Sequence, residues 1–275
     1  MMNASHTLAW AVAGALGTCS IAAPIDLTID PSQSNINLTI TVDISIADDT
    51  DSGASSLSGN IEIELDNAGN PTQITLNDMM VIMDQPMNFN WSFGFFGSAD
   101  AAMTNGNLSY AMPGIPTGPV PVSGGSFVFP AVPIALGGQL AVNYDLFGAG
   151  SGSEVVNLSD QGPSNSAFAG DVMIDGETIT LISTLPMNTT QPLLDGNGNQ
   201  IGVVTTVGSA TIVATGTAPS CQADLTGDGE LNFFDVSAFL SAFSAMDPAA
   251  DFTGDGEFNF FDVSAFLAAF SAGCP

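Results

Sequence analysis

Ile36-Asn-Leu-Thr-Ile-Thr-Val-Asp-Ile-Ser-Ile46 alternates apolar and polar side chains without a break. Successive side chains of a strand point to opposite faces, so this stretch reads as one long strand with a single buried face. The same period recurs at Ile61/Ile63/Leu65, at Met87/Phe89/Trp91/Phe93/Phe95 and at Leu140/Val142/Tyr144/Leu146. Asp175-Gly176, set between Val172/Ile174 and Ile179/Leu181, reads as a tight hairpin turn. No stretch before residue 220 repeats its apolar residues at helical spacing. Antiparallel sheets with one solvated face produce this signature. The expected fold is therefore mainly β: an antiparallel β-sandwich body over residues 23–217, with a small α-helical unit over 218–275.

Six of the 16 prolines fall within residues 113–133. Proline keeps to edges, turns and irregular segments. This stretch is expected to divide the body into two halves of one sandwich, or to mark a domain boundary. Gly148–Ser153 reads as a flexible loop. Asp48-Asp-Thr-Asp-Ser-Gly53 and Asp195-Gly-Asn-Gly-Asn199 read as hairpin loops, with calcium binding as the alternative.

The chain of 275 residues has no Lys and no Arg, a single His (His6) and a formal charge of -28. Without a basic group to neutralise phosphate, nucleic-acid binding is excluded. Anionic headgroups are disfavoured for the same reason, and cations are the natural counter-charge. Thr7–Gly17 is a short apolar run beside small residues, and Ser20-Ile21-Ala22 is a cleavage-like site. Residues 1–22 thus read as a secretory signal peptide, although the usual basic start is missing. The run is too short to span a bilayer, so no membrane span is expected in the mature chain. The alternatives are a buried strand or an uncleaved arm; a lipoprotein box at Leu16–Cys19 fits poorly, with Thr before the Cys. Cleavage would leave Cys221 and Cys274, which in an exported protein suggests one disulfide rather than two free thiols. Such a closure stabilises by roughly 4 kcal/mol in the chain-entropy view.

The helical unit holds one sequence twice. Asp224-Leu-Thr-Gly-Asp-Gly-Glu-Leu-Asn-Phe-Phe-Asp235 returns 27 positions later as Asp251-Phe-Thr-Gly-Asp-Gly-Glu-Phe-Asn-Phe-Phe-Asp262. Over 224–245 and 251–272 only three of 22 paired positions differ: Leu225/Phe252, Leu231/Phe258 and Ser241/Ala268. Calcium takes oxygen ligands from alternate positions of a sharply turned loop. Asp224, Thr226 and Asp228 fill positions 1, 3 and 5, and Gly229 allows the turn. Glu230 offers its backbone carbonyl, Asn232 ligates directly or through water, and Asp235 closes the loop. In the second copy the same roles fall to Asp251, Thr253, Asp255, Gly256, Glu257, Asn259 and Asp262, so two Ca2+ ions are expected. Behind each loop Val236, Phe239, Leu240 and Phe243, and Val263, Phe266, Leu267 and Phe270, fall at i, i+3, i+4 and i+7 of an amphipathic helix.

Two tandem D-x-[NT]-x-D-G-x-x-N-x-x-D loops, each followed by a short helix and bracketed by cysteines, resemble a dockerin of the type ending in Gly-Cys. The resemblance covers about a fifth of the chain. It implies a pseudo-symmetric pair of F-hand motifs that folds with calcium and docks a cohesin-type protein. In that family loop positions 10 and 11 help choose the partner; here they are Phe233, Phe234, Phe260 and Phe261. Whether these phenylalanines face a partner or the unit's own core is open at this level. Thr226 and Thr253 depart from the commoner Asn and offer a single ligating oxygen.

Past residue 22 no His, Lys or Arg remains, which excludes Ser-His-Asp and Cys-His sites, Schiff-base lysines and His-ligated zinc. A carboxylate pair is the surviving hydrolytic option. Glu62 and Glu64 would project from one face of a strand about 7 Å apart, where a solvated strand face is the simpler reading. Trp91 lies on an apolar stripe and is expected in the core rather than under a sugar. The sequence therefore favours a secreted or cell-surface, non-enzymatic protein tethered through its dockerin-like unit, its body structural or binding a glycan or another ligand. A glycoside hydrolase and a carrier of an apolar ligand are the alternatives.

Overall fold

The computed structural model describes residues 24–147, 150–194, 200–218, 221–228 and 230–273. The expected signal peptide, the Asp195–Asn199 loop, Gly229 and Cys274 lie outside the described residues. The body is mainly β, with twelve strands joined in one antiparallel sheet. They are β1 (Ile25–Ile29), β2 (Asn35–Asp43), β3 (Asp48–Leu65), β4 (Gln73–Met83), β5 (Met87–Ser92), β6 (Gly97–Tyr110), β7 (Thr117–Ser123), β8 (Ser126–Leu146), β9 (Gly150–Asn157), β10 (Ser164–Asp175), β11 (Thr178–Leu194) and β12 (Gln200–Thr217). Two helices follow, α1 (Phe233–Ala245) and α2 (Phe260–Ala272). Among the described residues no helix is long and apolar enough to cross a membrane.

Long strands let one sheet enclose two cores. Pairing runs from β1 through β3, β4, β7, β8, β10, β11 and β12 and back to β1, a closed ring. Inside it the inward halves of the alternating strands are fully buried, among them Leu27, Ile61, Ile63, Ile74, Phe127, Phe129 and Leu181. Each such side chain stabilises by roughly 1.5–3 kcal/mol through leaving water. Beyond the ring the strands continue as two facing layers, β9–β8–β6–β5 and β11–β12–β2–β3. Between them lie Leu38, Val42, Phe89, Trp91, Phe93 and Leu146. Trp91 is in this second core as expected, its indole N–H donating to the Ile40 carbonyl at 3.0 Å.

Several local expectations are corrected. The strand read over 36–46 stops at Asp43. Asp43 Oδ1 accepts the N–H of Ser45 at 2.7 Å, and Ser45 adopts a left-handed φ of 72°. The chain therefore reverses, pairing Asp43 with Asp48 and leaving Ile46 exposed. The stretch 48–53, read as a loop, is the start of β3. Its acids serve a structural end: Asp49 and Asp51 carboxylates accept the N–H groups of Ser92 and Asn90, both at 2.7 Å. These bonds tie the edge of β5 to β3 where no backbone ladder joins them, and the amide of Ser92, then that of Thr50, hold the Asp49 carboxyl below its usual range. The apolar stripe from Met87 ends at Phe93, because Gly94 turns with φ 59° and Phe95 projects into solvent. Residues 150–153, read as part of a flexible loop, open β9. Within the Pro-rich stretch the chain forms β7 and the start of β8.

Candidate metal centre

The two repeat loops are shaped by glycine and by Asp side chains acting on nearby amides. Gly227, Gly254 and Gly256 take φ of 71°, 70° and 77°, a region closed to most side chains. Asp224 Oδ1 accepts the N–H of Gly227 at 2.8 Å, and Asp251 Oδ1 that of Gly254 at 2.8 Å. Asp228 Oδ1 accepts from Glu230 N–H and Asp255 Oδ1 from Glu257 N–H, at 2.9 and 2.8 Å. Each loop then enters its helix through a capping box. Asn232 Oδ1 accepts the N–H of Phe234 at 2.7 Å, and Asn259 Oδ1 that of Phe261 at 2.8 Å. In return Asp235 and Asp262 accept the N–H of Asn232 and of Asn259, both at 2.9 Å. In this geometry the Asn at loop position 9 serves as helix cap, a role its spacing before Asp235 also announces.

This folding gathers acids. One carboxylate oxygen each from Asp224, Asp228 and Asp235 lies within 4.8 Å of the others, and Asp251, Asp255 and Asp262 repeat the arrangement. Asp235 and Asp262 are fully buried. Thr226 and Thr253 each donate a hydroxyl to these buried carboxylates at 2.9 Å, which sets that hydroxyl beside the cluster. Burial raises the Asp235 carboxyl most, but the amide of Asn232 and the amide and hydroxyl of Thr226 together hold it below its usual range. The amide of Asn259 does so first for Asp262, against burial and with help from Thr253. Like charges at such separations repel by roughly 1 to 4 kcal/mol per pair, depending on solvent access. The chain has no Lys or Arg to offset this. Both clusters can hold a metal ion, and a donor set made wholly of oxygen suits a hard cation. Glu230 and Glu257 are exposed and are not part of either carboxylate cluster.

Between the loops the repeat makes its own core. Phe239 and Phe266 occupy the same position in the two copies and stack at 4.1 Å with planes 4° apart. Phe252 meets both rings edge-on. Its repeat equivalent is the smaller Leu225, and Phe258 against Leu231 breaks the symmetry likewise in the same cluster. Leu240 and Leu267, expected on the buried stripe, are exposed instead. Val236, Phe239 and Phe243 meet the other repeat and the loops, while the side that carries Leu240 meets solvent, so the buried stripe is narrower than the sequence implied. Phe233 and Phe260 are 77% and 76% exposed, and Phe234 and Phe261 lie open beside them. Cys221 packs against this core.

The body's acids form no comparable cluster among the described residues. Glu62 and Glu64 are joined by Asn77, whose side-chain N–H groups donate to them at 3.3 and 2.9 Å on the face of β3 away from the core. Glu154 and Glu177 are exposed. No family model, no curated protein and no solved structure matches the chain.

Proposed function

We propose that residues 218–275 form a calcium-dependent docking module of the dockerin kind, which fastens an exported, non-enzymatic β body to a cohesin-type protein outside the cell. The observation that carries this reading is the pairing, within each repeat, of an acid cluster with an exposed pair of phenylalanines. Calcium is the cation of choice because every donor is oxygen and two loop glycines in the second copy allow its tight turn. Two ions stiffen the two loops, and the loops fix the starts of α1 and α2. Those starts carry Phe233, Phe234, Phe260 and Phe261, four large apolar side chains held outward, as a docking surface requires. In the body, Glu62 and Glu64 bonded to one amide on an outer strand face are poorly placed for hydrolysis.

The test is binding of the full chain to a panel of recombinant cohesin modules by calorimetry, with calcium and with chelator. Calcium-dependent binding to at least one is expected. Replacing all four phenylalanines by serine should weaken it by at least about 100-fold, as central aromatic anchors do, while leaving calcium uptake intact. Binding that ignores chelator, or survives the four substitutions, would refute the assignment. Export and closure are checked together by intact mass: the secreted chain should start at Ala23 and lack two thiol hydrogens, Cys221 being joined to Cys274. A full-length chain, or one whose two cysteines alkylate without reduction, would contradict this.

A further inference from the structure

The second core of the body is not filled. On one flank its layers are tied by Asp49 and Asp51 to β5. On the other, β9 pairs with β8 alone, and the far half of β11 pairs with β12 alone, among the described residues. Between the layers lies a cleft of about 310 Å³. Its wall includes Trp91, Leu140, Tyr144, Leu193 and Val204. The cause is readable in β6, whose inward positions are Ala99, Ala101 and Met103, so two methyl groups stand where the closed ring places Leu, Ile and Phe. Native interiors are close-packed, and an apolar void of this size forgoes contacts that larger side chains would supply.

We propose that this cleft binds a small neutral hydrophobic molecule, of the class of a ten-carbon aliphatic or isoprenoid alcohol. The volume sits at the lower end of the roughly 300–1,000 Å³ found for small-molecule sites. It holds about ten groups the size of a water molecule. Of the wall residues only Tyr144 and Thr206 carry a hydroxyl, and the Trp91 N–H is already bonded to Ile40. A wall so poor in polar groups suits a ligand with no more than a single hydroxyl or carbonyl. An anionic headgroup is rejected, because no Lys or Arg exists in the chain and the formal charge is -28. This inference concerns the body alone and does not rest on the docking role of the C-terminal unit.

The experiment uses the full chain carrying Trp10→Phe, which leaves Trp91 as the single tryptophan. Trp91 emission is followed while 1-decanol is added below its solubility limit, in chelator so that calcium plays no part. A saturable change is expected, with decanoate binding at least about tenfold more weakly because no group offsets its charge. Ala99→Phe should fill the cleft and abolish the response while leaving the β circular dichroism unchanged. If that variant fails to fold, Met103→Trp, read by calorimetry, carries the same comparison. Absence of saturable binding, decanoate binding as tightly as decanol, or binding that survives a folded cleft-filling variant would each overturn the proposal.

Discussion

Chelating calcium from the full chain should unwind α1 and α2, and Asp224→Ala together with Asp251→Ala should make the chain indifferent to the ion. Each helix has 13 residues, a length that is marginal in isolation even for favourable sequences. Each starts at a cluster of three carboxylates within 4.8 Å of one another. Without a cation the folded loop must bear that repulsion, roughly 1 to 4 kcal/mol per pair, and two such loops must bear it at once. The unfolded chain separates the charges and escapes the cost. Far-ultraviolet circular dichroism should lose most of its helical component on chelation and recover it on adding calcium, while the β signal of the body persists. A helical signal that ignores the ion would sink the reading. The response should also have an acid limit. The Asp235 and Asp262 carboxyls sit below their usual range in the folded unit, so their contribution is complete above the unfolded value near pH 4. It is lost as pH falls through the lower folded values, so the calcium response should hold at pH 6 and fail on strong acidification.

Phe239→Ala or Phe266→Ala should abolish folding of the C-terminal unit even with calcium present. The two rings are each 1% exposed and stack at 4.1 Å. Phe252 leans edge-on against both, and Phe243 and Phe270 flank them. Truncating a buried Phe to Ala costs about 3–5 kcal/mol. So small a unit has little stability in reserve. Either substitution should therefore remove the calcium-induced helix and its melting transition. Phe233→Ala, at an exposed ring in the same unit, should change stability by no more than about 0.5 kcal/mol. Equal melting of Phe239→Ala and the parent chain would show that the stack does not hold the repeats together.

The strand alternation, the duplicated loop and the absence of basic residues are local facts, and each was legible without coordinates. Period two is imposed by the pleat itself, so Ile61, Ile63 and Leu65 or Phe89 and Trp91 announce their buried face in any fold that contains them. The acid clusters were legible for a similar reason. Their six aspartates lie within 12-residue loops, and the turn that gathers them is written in the same few residues.

What escaped the sequence depends on partners far along the chain. Ile44 and Ile46 continue the apolar alternation, yet Asp43 ends the strand by binding the Ser45 amide, a local bond that outweighs periodicity once β3 is there to pair with β2. Asp49 and Asp51 look like loop acids until β5, some 40 residues later, offers unpaired amides to them. Leu240 fits a helical stripe, but whether a stripe position is buried depends on which side of the helix the rest of the unit covers. The cleft is the plainest case. Alanines at 99 and 101 are unremarked in a strand, and they become a void only because tertiary pairing sets two layers a fixed distance apart with no larger side chain reaching between them. Local chemistry thus determined which residues form strands, loops and acid clusters, whereas strand pairing at long range decided which of them meet.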